Sequence, residues 1–214
     1  MRKIIGTMAG FLALAPMAVA EEAPMAVLHL NTLKYTSGTE KTGTTSESVS
    51  SLKTASLADS WLMFVTKTGQ SIYFLPFSDQ KAVALGQFLN PALEVGVDIG
   101  LNNSKRGSNK ESQNVFGAFV HYTLGMGAHS VELVGSFDMF SKATETTVGT
   151  TTTKTDLGLN IIAAEAYYVV PLSSNFSYVG GARYRITSGE EKESKTDISN
   201  SELDLTLAAL RVRI

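Results

Sequence analysis

Residues 93–102, "LEVGVDIGLN", place Leu93, Val95, Val97, Ile99 and Leu101 on one side of an alternation and Glu94, Gly96, Asp98, Gly100 and Asn102 on the other. A period of two marks a strand whose faces meet different surroundings. The pattern recurs. Phe116, Ala118, Val120, Tyr122 and Leu124 share one face, with Gly117, His121 and Thr123 on the other. Val131, Leu133, Phe137 and Met139 oppose Glu132, Ser136 and Asp138. Phe176, Tyr178, Ala182, Tyr184 and Ile186 oppose Ser177, Gly181, Arg183 and Arg185. Near the C-terminus Thr206, Ala208, Leu210, Val212 and Ile214 oppose Arg211 and Arg213. Residues 156–170 are apolar on both faces except at Asn160 and Glu165, and residues 25–36 alternate poorly.

The connections carry a second pattern. Stretches 103–112, 142–155 and 188–199 read as long hydrophilic loops, and 88–92, 125–128 and 171–175 as short turn material. Short and long connections alternate, as an antiparallel up-and-down meander with its long loops at one end requires. A sandwich with Greek-key connections has no reason to keep that order. Six strands follow residue 91, the first strand adds one, and 40–56 forms a first long loop. Residues 57–90 read either as one strand with an ordered loop, giving eight strands, or as three strands joined at "KTGQ" and "SDQ", giving ten. Both counts are even, as closure demands; eight is preferred.

Which face meets water follows from the kind of polar residue. The polar faces between 91 and 187 carry Gly, Ser, Asn and isolated charges, while Lys gathers in the connections. An ordinary solvated surface would carry Lys and Glu throughout. Small residues interspersed with carboxylates and guanidiniums suit a narrow interior, where Arg holds a carboxylate with two parallel hydrogen bonds. The opposite face carries Tyr122, Phe137, Phe176, Tyr178 and Tyr184, in the manner of an aromatic girdle. Each apolar segment is about 9–12 residues, enough to cross a bilayer as a tilted strand. The expected fold is therefore all-β: an antiparallel up-and-down transmembrane β-barrel with lipid outside.

The N-terminus agrees. Arg2 and Lys3 precede an apolar run, and "AVA" before Glu21 fits a cleavage site, so residues 1–20 read as a signal peptide and 21–214 as one barrel domain. Losing Arg2 and Lys3 takes the net charge from -2 to -4, and no basic stripe suggests nucleic acid. The chain has no Cys, so stability must come from burial and strand pairing.

Leader, alternating strands, alternating connections and a strand running to the last residue together resemble small outer-membrane β-barrel proteins of the OmpA/OmpX type. "GQFLNPALEVGVDIGLN" is similar to a hairpin region of the outer-membrane β-barrel domain family. The resemblance implies the outer membrane of a Gram-negative bacterium, contact with its lipids and lipopolysaccharide, and a monomer without a peptidoglycan-binding domain. It also implies insertion by the barrel-assembly machinery through the C-terminal strand. Ile214 departs from it, since such chains usually end in Phe or Trp.

The chemistry is expected inside the barrel. Glu94, Asp98, Glu132, Asp138, Glu165, Arg183, Arg185, Arg211 and Arg213 are the expected interior charges. Unpaired charges there would be costly, so the arginines should pair with carboxylates such as Glu94, Asp98 or Glu132. His121 should face the interior, His129 sits at a turn, and His29 lies on the poorly patterned first strand. No zinc spacing, nucleophile elbow or phosphate loop is present. The expectation is a non-enzymatic barrel without metal or cofactor, structural or surface-interacting, with its interior plugged by charge. A narrow diffusion channel is the alternative, and a lipid or peptide hydrolase using His121 or His29 at the membrane rim a third.

Overall fold

The computed structural model describes residues 25–54, 60–75, 83–106, 108–148 and 150–214. The signal-peptide segment 1–20 and the "SDQ" connection lie outside these residues. Eleven strands follow in order: β1 (Met25–Thr42), β2 (Thr45–Thr54), β3 (Trp61–Val65), β4 (Gln70–Phe74), β5 (Val83–Asn90), β6 (Leu93–Arg106), β7 (Asn109–Met126), β8 (His129–Val148), β9 (Thr151–Pro171), β10 (Phe176–Glu191) and β11 (Thr196–Arg213). Neighbours along the sheet pair antiparallel, and β1 also pairs with β11, closing the ring.

The barrel has ten staves, not eight. β2 lies against Leu33–Thr42 of β1 while β3 lies against Met25–His29, so the two are one interrupted stave. The backbone N–H of Asn31, opposite the interruption, donates to Ser60 Oγ at 3.1 Å. The hairpin β3–β4 turns at "KTGQ", as the ten-strand count required. The preference for eight failed because β3 and β4 are only five residues long. Their inward positions, Trp61, Met63 and Tyr73, are themselves large and apolar or aromatic. Nothing in the polarity pattern separates their two faces.

The expected long loops are corrected as well. Within stretches 103–112, 142–155 and 188–199 the described residues are mostly paired strand ends, and 40–54 belongs to the β1–β2 hairpin. Thr is a good strand residue, and hydroxyl pairs form across the ladder: Thr147 Oγ1 lies 3.2 Å from Thr152 Oγ1. Their hydrophilicity reflects water on both faces of the sheet rather than loop structure. Gly43 (φ 60°) and Gly127 (φ 71°) take the left-handed conformation in the turns that join β1 to β2 and β7 to β8.

Two bulges explain the weak patterning of the first strand. Between Asn31 and Lys34 on β1, and between Thr206 and Ala209 on β11, each strand inserts a residue and its inward parity flips. His29 and Asn31 face inward below the bulge and Lys34 above it. On β11 this corrects Thr206: it does not share the outer face with Ala208 and Leu210 but is buried inside. The uncertain register of 156–170 resolves into Ile161, Ala163 and Val169 inward and Ile162 and Tyr168 outward.

The outer wall is apolar. Phe116, Val120, Tyr122, Leu124, Leu133, Phe137, Met139, Ile162, Tyr178, Tyr184, Ile186 and Leu203 are all exposed. On β6 the band runs from Leu93 to Leu101, about 30 Å of chain at ~3.3 Å per residue. With a tilt near 40°, this is roughly the ~25 Å apolar height of a membrane barrel. Tyr122, Tyr168 and Tyr178 mark the border near the termini; Phe74 and Phe116, level through Val83 and Ile99, mark the other. The fold is a transmembrane up-and-down barrel.

Candidate functional site

The site is the lumen. Alternation on β6 to β11 sends one side chain in two inward, and glycines leave room for the larger ones. The carboxylate of Asp138 occupies the space a Cβ on Gly117 would need, and Glu94 does the same at Gly86. Phe119 covers Gly96, and Tyr167 covers Gly181. Tall side chains thus lie over bare backbone on neighbouring strands.

Two polar layers result. The first lies toward the termini. Glu94 is fully buried and accepts from Ser71 Oγ and from Tyr73 Oη at 2.7 Å. Nδ1 of His121 lies 3.2 Å from Glu94 Oε2, and its Nε2 lies 3.7 Å from Glu132 Oε2. Arg211 grips Glu132 with two bonds, Nη1 to Oε1 at 2.5 Å and Nη2 to Oε2 at 2.9 Å. The Arg211 guanidinium lies 5.3 Å over the Trp61 ring, which stacks on His29 at 5.0 Å. Glu94, His121 and Glu132 lie on the adjacent staves β6, β7 and β8, so their contacts run along the wall; the Arg211–Glu132 pair, between staves three apart, leaves it and spans part of the interior.

The second layer lies farther from the termini and follows the seam where the ring closes. Asp204 accepts from Arg183 Nε at 2.9 Å, from Lys34 Nζ at 2.9 Å and from Thr36 Oγ1 at 2.7 Å. Beside it Arg185 Nη2 donates to Glu202 Oε1 at 2.8 Å. These groups sit on β10, β11 and β1, which are adjacent.

A cavity of about 610 Å³ runs from the end of the barrel at which the termini lie past both layers, lined by His121, Glu132 and Arg211 of the first and by Arg183 and Arg185 of the second. Ser173, Ser174 and Asn175 of the β9–β10 turn line its mouth, along with Met25 and Arg213. At its far end Val115, Phe140 and Ile161, with Leu157 and Leu159, form an apolar cluster, the cap, on the inner wall of the adjacent staves β7, β8 and β9.

Of the expected interior charges, Asp98, Glu132, Asp138, Glu165, Arg183, Arg185, Arg211 and Arg213 line this cavity, and Glu94 is buried in the wall behind it. The Arg211–Glu132 pair is among those expected. Arg183 and Arg185 instead bind Asp204 and Glu202, which the sequence reading missed, together with Lys34, Thr36, Trp61 and Tyr73. The signal for Asp204 and Glu202 was their placement opposite Arg183 and Arg185 once β10 and β11 are folded as a hairpin. Lys34 was hidden by the β1 bulge. His121 faces the lumen; His29 does too; His129 lies against Tyr168 at 5.6 Å between ring centres. Among the described residues no group of three or more His, Asp or Glu side chains is placed to hold a metal ion.

No family model and no curated protein matches the chain. Solved structures do. Neisserial surface protein A (NspA) is 11% identical, covering 89% of this chain and 99% of its own, with a TM-score of 0.39. The outer membrane protease OmpT from Escherichia coli is 8% identical over 92% of this chain and 99% of its own, with a TM-score of 0.49. Ail, the attachment invasion locus protein of Yersinia pestis, is 8% identical over 90% and 100%, with a TM-score of 0.36. At such identities the likeness concerns the fold alone.

Proposed function

We propose that the protein is an integral outer-membrane barrel of a Gram-negative bacterium whose lumen is sealed and whose role is structural or surface-interacting. It is a monomer of the general OmpA/OmpX kind, inserted by the assembly machinery through β11 and surrounded by lipid and lipopolysaccharide. The termini and short turns face the periplasm. The polar strand ends that continue β1, β2 and β6 to β11 past the apolar band form a hydrophilic rim outside the cell, where partners are met. The observation that carries this reading is the Arg211–Glu132 pair, which leaves the wall and joins staves three apart across part of the lumen.

A channel is the second reading, favoured by ten staves and the 610 Å³ cavity. Against a hydrolase stands the order of contacts at His121. Ser71 and His121 both bond to Glu94 rather than to each other, so no imidazole stands beside the serine to activate it. The test is conductance of the refolded protein in a planar bilayer, with folding established by heat-dependent gel mobility. A sealed barrel gives a silent trace; discrete steps from the unmodified protein would replace this reading with the channel.

A further inference from the structure

Beyond the apolar band the ring of paired strands is open on one side. β4 ends at Phe74 and β5 begins at Val83, level with Leu28 on β1 and Ile99 on β6. β1, β2 and β6 continue past that level. Among the described residues β2 pairs with β1 alone, and β6 past Ile99 pairs with β7 alone. Each of these two strands therefore carries a second edge of backbone N–H and C=O groups, and the edges face a space as wide as the two staves that stop short.

The chain between β4 and β5 is too short to serve these edges. Seven residues separate Leu75 from Val83, and up and back they rise at most about 14 Å. On the register of β1, β2 lies five to fourteen residues past Leu28, roughly 16–46 Å along the strand at ~3.3 Å per residue.

The two edges differ in their protection. β6 ends in Lys105 and Arg106, residues of the kind that blunt an exposed edge. β2, "TSESVSSLKT", has no Pro, Gly or bulge, carries its single Lys at the membrane end, and keeps unbroken register with β1 over ten pairs. Residues 46–50 are all exposed, so water meets both faces of the strand. Thr42 and Thr45 flank the two-residue turn and close it as a hydrogen-bonded pair. The alternation of an antiparallel ladder then turns the N–H and C=O of Ser46, Ser48, Ser50 and Leu52 to the second edge. Another extended backbone matches such a row of alternating donors and acceptors; a glycan or a lipid headgroup does not repeat it.

We propose that the second edge of β2 is a docking site for an extended, hydrophilic segment of another protein. The segment joins the sheet as an antiparallel strand running away from the membrane. It is hydrophilic because it too would have water on both faces. A second copy of this chain fits less well: two copies in one membrane point their β2 strands the same way and could meet there only in parallel, the weaker pairing. The inference rests on the reading of the polar rim as the place where partners are met, and it names the strand and the kind of partner.

The probe is a fluorescein-labelled synthetic peptide copying Leu33–Thr42, the sequence that β2 already pairs with on its first edge. Its fluorescence anisotropy is followed while folded protein in detergent is added. A saturable rise is expected, with affinity about tenfold weaker or more when alternate peptide nitrogens are methylated, since several edge hydrogen bonds are then lost. Ser50→Pro, which removes one edge N–H and none that bonds to β1, should weaken binding about fivefold, the value of one hydrogen bond. If Ser50→Pro lacks native heat-dependent gel mobility, the methylated peptide decides on the unmodified protein. No saturable rise, equal binding of the methylated peptide, or unchanged affinity in folded Ser50→Pro would each overturn the proposal. Ready disulfide dimerisation of Ser48→Cys in membranes would overturn it in favour of a second copy. A bilayer trace that stays silent while the peptide fails to bind would remove this docking site and leave the sealed barrel standing.

Discussion

The two polar layers of the lumen use the same residue types for different ends. The layer around Asp204 joins β10, β11 and β1, strands that already share backbone hydrogen bonds. Its ion pairs run along the wall and fasten the seam at which the ring closes. The layer around Glu132 joins β8 to β11, 79 residues apart in sequence and three staves apart in the ring, and continues through His121 to β6. Of its contacts the Arg211–Glu132 pair leaves the wall, while those of His121 with Glu94 and Glu132 join adjacent staves. An arginine–carboxylate pair between adjacent strands fastens the wall, whereas one between distant strands reaches into the lumen.

Asp204→Ala should have the largest effect on stability. Asp204 is 2% exposed and is the acceptor for Arg183, Lys34 and Thr36. Its loss leaves two cations buried together, at a cost of about 3–5 kcal/mol. Urea unfolding in lipid vesicles should show the midpoint falling accordingly. Arg211→Ala should cost less, because Glu132 keeps His121 and the adjoining cavity admits water. Equal losses for the two variants would erase the distinction between seam and plug.

A smaller effect comes from the wall that supports the crossing layer. Gly117→Val places a side chain where the Asp138 carboxylate and the Phe137 carbonyl already lie. Overpacking of this kind costs about 1–3 kcal/mol. Gly125→Val, at a position open on all sides, should leave the unfolding midpoint where it is.

These contrasts also show what could be read before the structure. On β6, β7, β8 and β10 the chain alternates without interruption, so the polar residues of the pattern could be assigned to the interior one by one. Asp98, Glu132, Asp138, Arg183 and Arg185 were all reached this way. The seam was not legible, because the side-by-side bulges in β1 and β11 invert the alternation midway and split Asn31 from Lys34 and Thr206 from Ala209. The tenth stave was obscured for another reason. β3 and β4 turn aromatic and apolar residues both outward, to lipid, and inward, to the cavity, so period two carries no polarity difference there. The hydrophilic strand ends misled in the opposite sense, since strands with water on both faces have loop-like composition.

The smallest predicted effect lies on that rim. Lys142 Nζ sits 3.1 Å from Glu111 Oε2, and this bond, followed by one from the Gln113 amide, holds the Glu111 carboxyl below its ordinary 4.5. A lowered folded-state value contributes stability above the unfolded value and loses it as pH falls through the folded one. Because both side chains are about one-third exposed at the rim, solvent and salt screen the pair. A carboxyl titration by NMR should show Glu111 moving back up in Lys142→Ala, with no measurable change in thermal unfolding.

The central claim, that the lumen is blocked by the crossing layer and the cap while the seam only closes the wall, is tested most directly by single-channel recording. Wild type, Asp204→Ala and the double variant Arg211→Ala/Phe140→Ala would be compared in one bilayer system. The double variant removes the guanidinium that bridges the walls and the largest side chain of the cap. Discrete conductance steps from the double variant, with silence from wild type and Asp204→Ala, are the predicted result. Steps from wild type, or from Asp204→Ala while the folded double variant stays silent, would contradict it.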